Sequence, residues 1–142
     1  MAEQINIFAE NKPGRLTSIT QILADHQINI RAIVVADRDN FGIIKILVDN
    51  PHKAHVALTT NGYAAALKKI LAILVEDKPG GLHQLLLLLS EKGINIIDAY
   101  GFSIHSKNES VLCIEAHNLE EASSIITENG YKILHGSELY EI

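Results

Sequence analysis

The sequence predicts an α+β fold in which one βαββαβ unit is written twice. Two repeated segments lead to this prediction. The segment Glu10-Asn11-Lys12-Pro13-Gly14-Arg15-Leu16 returns later in the chain as Glu76-Asp77-Lys78-Pro79-Gly80-Gly81-Leu82. Ile28-Asn29-Ile30 returns as Ile94-Asn95-Ile96, and its two copies are separated by the same distance along the chain as the two Pro-Gly segments. We therefore expect the 142-residue chain to contain two domains, residues 1–69 and 70–142.

The first half of the first copy has the patterns of two strands around a helix, followed by a hairpin. Apolar and other residues alternate over residues 4–9, which is typical of a strand with two unlike faces. A helix is predicted over residues 13–26, with proline in its first turn because the N–H that proline lacks would have no partner there. Residues 28–35 and 42–48 are rich in β-branched residues and predict two strands joined by a turn at residues 37–40.

The rest of the first copy is predicted to be a helix and a short strand. Asn50 precedes Pro51, the order of a helix cap followed by a proline at the first helical position. Gly62 supplies the left-handed conformation that ends a helix. A fourth strand is expected from Tyr63.

The second copy repeats this order of elements. It predicts strands over residues 70–75, 94–105 and 110–116, a helix over 79–92, a turn over 106–109 and a second helix from the cap Asn118 to Gly130. A last strand is expected from Tyr131, and the alternating tail, residues 138–142, predicts one more. The segment Asn61-Gly62-Tyr63 recurs from Asn129, two positions later than the Pro-Gly repeat would place it. The two added residues are expected in the hairpin turn, where insertions cost little.

A βαββαβ unit forms a four-stranded antiparallel sheet with both helices on one face, the ferredoxin-like arrangement. We expect the two sheets to join edge to edge, since this pairing hides two exposed strand edges. Leu86 and Leu87 replace Thr20 and Gln21 of the first copy. This extra apolar surface predicts that the second copy's first helix is covered by the other repeat or by a second chain, so we expect a homodimer.

Composition excludes several classes of function. The net charge is −5, which argues against nucleic-acid binding and against docking on an anionic membrane. The longest apolar run, residues 85–89, is far shorter than a membrane-spanning helix, and residues 1–4 do not resemble a secretory signal. A cytoplasmic location is expected. The one cysteine, Cys113, is expected to be a buried strand thiol, and His52 and His55 are expected to be surface residues rather than metal ligands.

The Pro-Gly segments carry the chemistry of a small-anion site. A helix N-terminus after glycine presents backbone N–H groups and the positive end of the helix dipole, which suit a carboxylate. Side-chain oxygens of Asn11 or Asp77 are able to accept hydrogen bonds from an ammonium group. A second interpretation remains open, because Asn11 and Asp77 are also common helix caps. Gly81 replaces Arg15, so we expect the first loop to bind a carboxylate more tightly.

The repeated residues resemble the ACT domain, a family of small ligand-binding modules in regulated metabolic enzymes. The resemblance rests on the pattern Asp/Glu-Asn/Asp-x-Pro-Gly-x-Leu followed by a helix and Ile-Asn-Ile, and it covers both copies. It implies that an amino acid binds where the first loop of one unit meets the start of the second strand of a neighbouring unit. The ligand-binding residues it implies are Asn11, Pro13, Gly14, Arg15, Leu16, Asn29, Asp77, Gly80, Gly81, Leu82 and Asn95.

The resulting hypothesis is a non-catalytic regulatory protein that senses a small amino acid and needs no cofactor. Related ACT domains have a histidine two residues before the loop amide; Ala9 and Val75 stand there in this sequence. This difference suggests a less polar ligand than serine. The alternative hypothesis is an obligate regulatory subunit of an amino-acid biosynthetic enzyme, similar to the acetolactate synthase small subunit. The sequence contains no recognisable catalytic constellation, so we do not expect an enzyme.

Overall fold

The computed structural model describes residues 1–39, 41–104 and 106–142. It divides the chain into two compact units. The first comprises residues 3–68 with Glu141, and the second comprises residues 1–2, 69–140 and Ile142. Each unit contains a βαββαβ-like arrangement of antiparallel strands, so the predicted fold class is confirmed. Among the described residues, no helix is long and apolar enough to cross a membrane.

The first unit contains four strands and two helices. The elements in order are β1 (Ala2–Ala9), α1 (Arg15–Asp25), β2 (Ile30–Arg38), β3 (Phe41–Val48), α2 (Pro51–Thr60) and the start of β4 (Ala64–Glu76). The strand order is β2-β3-β1-β4, and β3 pairs antiparallel with both β1 and β2. The buried side chains of α1, Ile19 and Leu23, pack in one core cluster with Ile5, Ile7 and Ile44 of the sheet.

The second unit repeats this arrangement and adds a short terminal helix. After β4 come α3 (Gly81–Glu91), β5 (Ile96–Ile104), β6 (Glu109–Ala116), α4 (Leu119–Glu128), β7 (Ile133–Leu134) and α5 (Gly136–Tyr140). β6 pairs antiparallel with β4 and β5, and β7 pairs with β4. Leu85 and Leu89 of α3 pack in its core.

The two added residues of the second copy fall in the β5–β6 turn, as predicted. The ends of β2 and β5, Arg38 and Ile104, are separated by the same distance along the chain as Pro13 and Pro79. The start of β6 lies two positions later than this spacing would place it relative to the start of β3. The insertion therefore lengthens the turn and leaves the strands intact.

Four predictions about the elements were wrong. The strands expected from Tyr63 and over residues 70–75 are the single strand β4, since no glycine, proline or asparagine interrupts residues 64–76. The first helices begin at Arg15 and Gly81, so Pro13 and Pro79 lie before them. Residues 37–38 belong to β2, and Asn40 of the predicted turn and His105 of the predicted strand lie outside the described residues.

The fourth correction concerns the C-terminal tail, which forms α5 rather than a strand. The Glu138 carboxylate accepts a hydrogen bond from the His135 amide at 3.3 Å, three residues before it. This contact is half of a capping box, which favours a helical turn. Leu139, on this turn, is fully buried.

Candidate functional site

The Pro-Gly corner has the same backbone conformation in both units. Gly14 and Gly80 are the N-caps of α1 and α3, with φ of +87° and +82°, and neither helix has a side-chain cap. A Cβ atom built on either glycine would have no described atom within 4 Å. The corners are therefore open, and the interpretation of Asn11 and Asp77 as helix caps is wrong.

The first-turn amides of the two helices are only partly used. The Arg15 amide donates to the Lys12 carbonyl at 3.1 Å, and the Gly81 amide donates to the Lys78 carbonyl at 3.0 Å. These two N–H groups, expected to face a ligand, are thus used within the loop. The next two amides of each helix have no acceptor among the described residues. They belong to Leu16, Thr17, Leu82 and His83. Such unpaired N–H groups are suitable donors to a carboxylate.

Asn11 lies beside a carboxylate at the edge of the first unit. Its Nδ2 donates to Asp37 Oδ2 at 3.3 Å, and both side chains are exposed. Asn11 Oδ1 and the Asp37 carboxylate are acceptors of the kind that an ammonium group requires. The corner therefore combines amide donors with side-chain acceptors. The sequence did not indicate Asp37 as a functional residue, because it was expected in a turn.

The second corner is built differently. The Asp77 amide donates to the Asn108 carbonyl at 2.9 Å, which fixes the loop against the β5–β6 turn. The Asp77 residue lines a cavity of about 280 Å³ together with Leu82 and residues of β5 and β6, among them Phe102 and Ser103. Two of the predicted residues, Asp77 and Leu82, thus lie around one cavity.

An ion pair repeats at the loop in both units. Lys12 Nζ lies 2.7 Å from Glu10 Oε2, and Lys78 Nζ lies 2.7 Å from Glu76 Oε2. The hydrogen bond from each lysine holds the pKa of its glutamate below the usual value. Both carboxylates therefore stay ionised at neutral pH, and each neutralises a lysine that would otherwise attract an anion to the loop.

Arg15 and Gly81 give the two corners different charge. Arg15 Nε donates to the Glu10 carbonyl at 3.2 Å. In the second unit the equivalent carbonyl, that of Glu76, instead accepts from the Lys78 amide at 3.0 Å. A Cβ atom on Gly81 would collide with this Glu76 carbonyl. The first corner therefore carries a guanidinium that the second has no room to hold in its present loop conformation.

A pair of equivalent cavities lies beside the two corners, one in each unit. The first, of about 540 Å³, is lined by Arg15, Ser18 and Gln21 of α1 and by the Asn61-Gly62-Tyr63 segment. Tyr63 donates its hydroxyl hydrogen to Ser18 Oγ at 2.8 Å. The second, of about 310 Å³, includes the equivalent Gly81, Gln84, Gly130 and Tyr131. The repeated Asn-Gly-Tyr segment was interpreted only as a marker of repeat spacing. Its duplication was also the sequence signal that the segment forms a wall of both cavities.

Asn29 does not lie with Asn11 within the unit. β1 and β2 both run antiparallel to β3, so they run parallel to each other. Asn11 follows the end of β1, whereas Asn29 precedes the start of β2, and the two residues therefore lie at opposite ends of the sheet. The Asn29 amide donates to Asp49 Oδ1 at 3.1 Å. Asn95 has the equivalent exposed place before β5.

The cysteine and the two neighbouring histidines have surroundings that do not form a catalytic or metal site. Burial raises the pKa of the Cys113 thiol to about 12, which keeps it protonated and unreactive. His52 contacts Glu3, and His55 contacts the Ala65 carbonyl. No cluster of three or more potential metal-ligating side chains occurs within the described part of the chain.

Comparison with known proteins identifies relatives by sequence and by fold. A family model described as an ACT domain pair matches residues 1–142. The crystal structure of protein BT0572 from Bacteroides thetaiotaomicron is 34% identical, with a TM-score of 0.93 over 99% of this chain and 96% of that one. The ligand-free regulatory subunit of aspartate kinase from Thermus thermophilus shares the fold at 20% identity, with a TM-score of 0.67 over 90% and 92% of the two chains. The equivalent subunit from Thermus flavus is 19% identical, with a TM-score of 0.61 over 89% and 90%. The sequence has no match among curated proteins.

Proposed function

Because the chain belongs to the ACT domain pair family, we propose that it is a non-catalytic regulatory protein that binds a free amino acid at its Pro-Gly corners. The observation that carries this proposal is the pair of unpaired first-turn amides beside the open glycine N-cap in each unit. An amino-acid carboxylate matches these donors in charge and size.

In the first unit, the Leu16 and Thr17 amides hold the carboxylate and Arg15 adds positive charge nearby. The ammonium group is bound by Asn11 Oδ1 and by the Asp37 carboxylate. These two side chains are already adjacent, because Asn11 Nδ2 donates to Asp37 Oδ2. Pro13 sets the loop direction, and Gly14 leaves the approach open because it has no side chain. In the second unit, the Leu82 and His83 amides, Gly80 and Asp77 have the equivalent roles, and Gly81 stands at the position of Arg15 without its positive charge.

Asn29 and Asn95 belong to the site if a neighbouring unit supplies them. Within one unit Asn29 is at the far end of the sheet from Asn11, so it cannot contact the same ligand there. Binding regulates by favouring one assembly over another, since a ligand shifts an equilibrium toward the state that it binds more tightly.

The experiment that tests this function is a thermal-shift panel of the twenty amino acids, followed by calorimetry on any that stabilise the protein. A ligand at 100 times its Kd adds about 2.7 kcal/mol of apparent stability. Asn11→Ala should weaken the response to that ligand. Asn118→Ala, which removes an asparagine from the N-cap of α4, should lower the basal melting temperature and leave the ligand response intact. A panel without any stabilising amino acid contradicts the proposal.

A second candidate is a regulatory subunit that acts in a complex with a catalytic chain in the cytoplasm. Regulatory subunits of aspartate kinase from two Thermus species share this fold over about nine-tenths of both chains, and this likeness supports testing such a role. A flat amino-acid panel, together with a stoichiometric complex formed with an amino-acid biosynthetic enzyme, would favour this candidate over a stand-alone sensor.

A further inference from the structure

The Asp77 cavity, of about 280 Å³, lies over the paired ends of β5 and β6. In this pairing Gly101 is directly opposite Leu112, and Ser103 is directly opposite Ser110. Leu112 packs in the same core cluster as α3, and alternate residues of a strand share one face. All four residues therefore face the helix side of the sheet. Because Gly101 has no side chain, the space above it remains part of the cavity.

The first unit carries larger side chains at the equivalent place. It has Val35 at the position of Gly101 and Asp37 at the position of Ser103, since β2 and β5 pair with their neighbouring strands in the same register. Asn11 donates to the Asp37 carboxylate at 3.3 Å, so these two side chains span the corner. The first unit thus has its own side chains where the second unit leaves a space.

Two serine hydroxyls line the Asp77 cavity. Neither Ser103 nor Ser110 has a side-chain hydrogen bond to any residue that the structure describes. A hydroxyl donates one hydrogen bond and accepts others, so the pair matches a single neutral polar group. The sequence suggested a ligand less polar than serine because Val75 is apolar. The two hydroxyls come from β5 and β6 instead, and they favour a polar ligand side chain.

The rest of the lining limits the size and charge of an occupant. Val75 and Leu112 are 3% and 8% exposed and supply apolar surface. Glu76 and Lys78 also line the cavity, but they form an ion pair with each other at 2.7 Å. The cavity lies at the small end of ligand pockets, which range from about 300 to 1,000 Å³. A short and uncharged side chain fits these conditions.

We propose that the Asp77 cavity receives the side chain of the amino acid bound at the second corner, and that it selects a short side chain with one hydroxyl or amide group. This inference rests on the function proposed above. With the ammonium group held by the Asp77 carboxylate, the ligand side chain extends toward Gly101, and its polar group bonds to the two serine hydroxyls. The first corner has Val35 at this place and binds without the selection.

Calorimetric titration of the full chain with L-serine and L-alanine tests the selection, because these ligands differ by one hydroxyl group. Asp77→Ala identifies the event at the second corner, since it removes the carboxylate of that corner alone. L-Serine should bind there roughly threefold to tenfold more tightly than L-alanine. A second event that shows no such preference, or that requires a long or charged side chain, overturns the proposal.

Removal of the serine hydroxyls tests their part in the selection. Ser103→Ala and Ser110→Ala should each reduce the preference for L-serine at the second event, and the double variant should abolish it without changing the affinity for L-alanine. Ser90→Ala removes an exposed hydroxyl at the opposite end of α3 and should change neither event. A double variant that keeps the preference contradicts the proposed role of the hydroxyls.

Gly101→Val tests whether the ligand side chain occupies the space above this residue. The variant should weaken L-serine binding at the second event by about tenfold or more, because the valine of the first unit then fills the cavity. Free glycine, which has no side chain, should bind as it does to the wild-type protein. Ala99→Val enlarges another residue on the same face of β5, outside the cavity, and should change neither event.

Equal binding of L-serine to the wild-type protein and to Gly101→Val overturns the proposal. A Cβ atom at this position would lie 3.1 Å from the Val111 carbonyl oxygen, so glycine titration and circular dichroism report any shift of the strand. If Gly101→Val loses glycine binding as well, the strand has moved, and the serine variants, which add no atoms, decide the outcome.

These measurements separate the inference from the proposed function. A protein that binds no amino acid contradicts both. A protein with two binding events, the second of which does not depend on residues 101, 103 and 110, retains the proposed function and excludes the selection in the Asp77 cavity.

Discussion

Position 81 shows how one residue changes a duplicated loop. Its equivalent in the first unit is Arg15, whose side chain donates to the Glu10 carbonyl. In the second unit the Glu76 carbonyl lies where the Cβ atom of residue 81 would be. The equivalent carbonyl thus accepts a hydrogen bond from a guanidinium in the first copy and lies against a glycine in the second. The requirement for glycine at 81 is steric rather than a matter of φ, in contrast to Gly80.

We expect Gly81→Ala to destabilise the protein because the added methyl group forces the loop backbone to move. The free energy of unfolding should fall by about 1–3 kcal/mol, the range typical of overpacking. Arg15→Ala, at the equivalent position of the first unit, should cost less than about 1 kcal/mol because it adds no atom. Urea denaturation of both variants measures the difference. Equal stabilities for the two variants would show that the second loop adapts freely.

The buried thiol of Cys113 predicts a loss of stability at alkaline pH. An exposed thiol in the unfolded chain ionises near pH 9.0, whereas burial raises the pKa of Cys113 to about 12 in the folded chain. Between these values the unfolded state releases a proton that the folded state keeps, so rising pH favours unfolding. The contribution is fully present below pH 9 and is lost as pH rises toward 12.

Cys113→Ala tests this prediction, because alanine does not titrate. From pH 8 to pH 10, the stability of the wild-type protein should fall relative to the variant by about 1 kcal/mol. Denaturation curves of both proteins at several pH values give the difference, in which other titrating groups cancel. A difference that stays constant with pH would show that the pKa of the Cys113 thiol is not raised in the folded chain.

At the scale of elements, the periodicity of the sequence predicted most helices and strands, and errors arose where local signals were weak. The helix caps Asn50 and Asn118 were correctly predicted, because an asparagine directly before a helical pattern strongly favours the N-cap position. The break expected between Tyr63 and Ile70 was wrong. The repeat suggested that one unit ends with a strand and the next begins with another, but no turn residue separates these two segments. The helix α5 was missed because five alternating residues fit a strand pattern as well.

The caps predict matched losses of stability in the two units. Asn50 Oδ1 accepts from the Lys53 amide at 3.2 Å, and Asn118 Oδ1 accepts from the Glu121 amide at 3.0 Å. Asn50→Ala and Asn118→Ala should each lower the free energy of unfolding by about 1 kcal/mol. Asn50→Asp and Asn118→Asp retain the acceptor oxygen and should stay within a few tenths of a kcal/mol of wild type. Equal losses in the alanine and aspartate variants would contradict a capping role.

For the whole molecule, the sequence indicated which residue types repeat but not which of them meet. Asn11 and Asn29 repeat together, yet strand direction places them at opposite ends of a unit. A contact between these two side chains therefore requires a neighbouring unit, which the periodicity of one amino-acid sequence does not specify.

The two corners of one chain should bind the same amino acid with unequal affinity. The first has Arg15 beside a cavity of about 540 Å³, whereas the second has Gly81 beside one of about 310 Å³. A charge-assisted hydrogen bond contributes roughly 1.5–3 kcal/mol, so the two dissociation constants should differ by about tenfold or more. Calorimetric titration should resolve two binding events per chain.

Substitution of Arg15 tests whether this residue causes the difference. Arg15→Gly should weaken the tighter event and bring the two dissociation constants together, because both corners then lack the guanidinium. Gly81→Arg should not strengthen the weaker event, since its Cβ atom would collide with the Glu76 carbonyl. Lys53→Ala, which removes one positive charge from α2 of the same unit, should leave both events unchanged. If Arg15→Gly retains two unequal events, the asymmetry arises elsewhere, and the Asp77 cavity of the second unit becomes the place to examine.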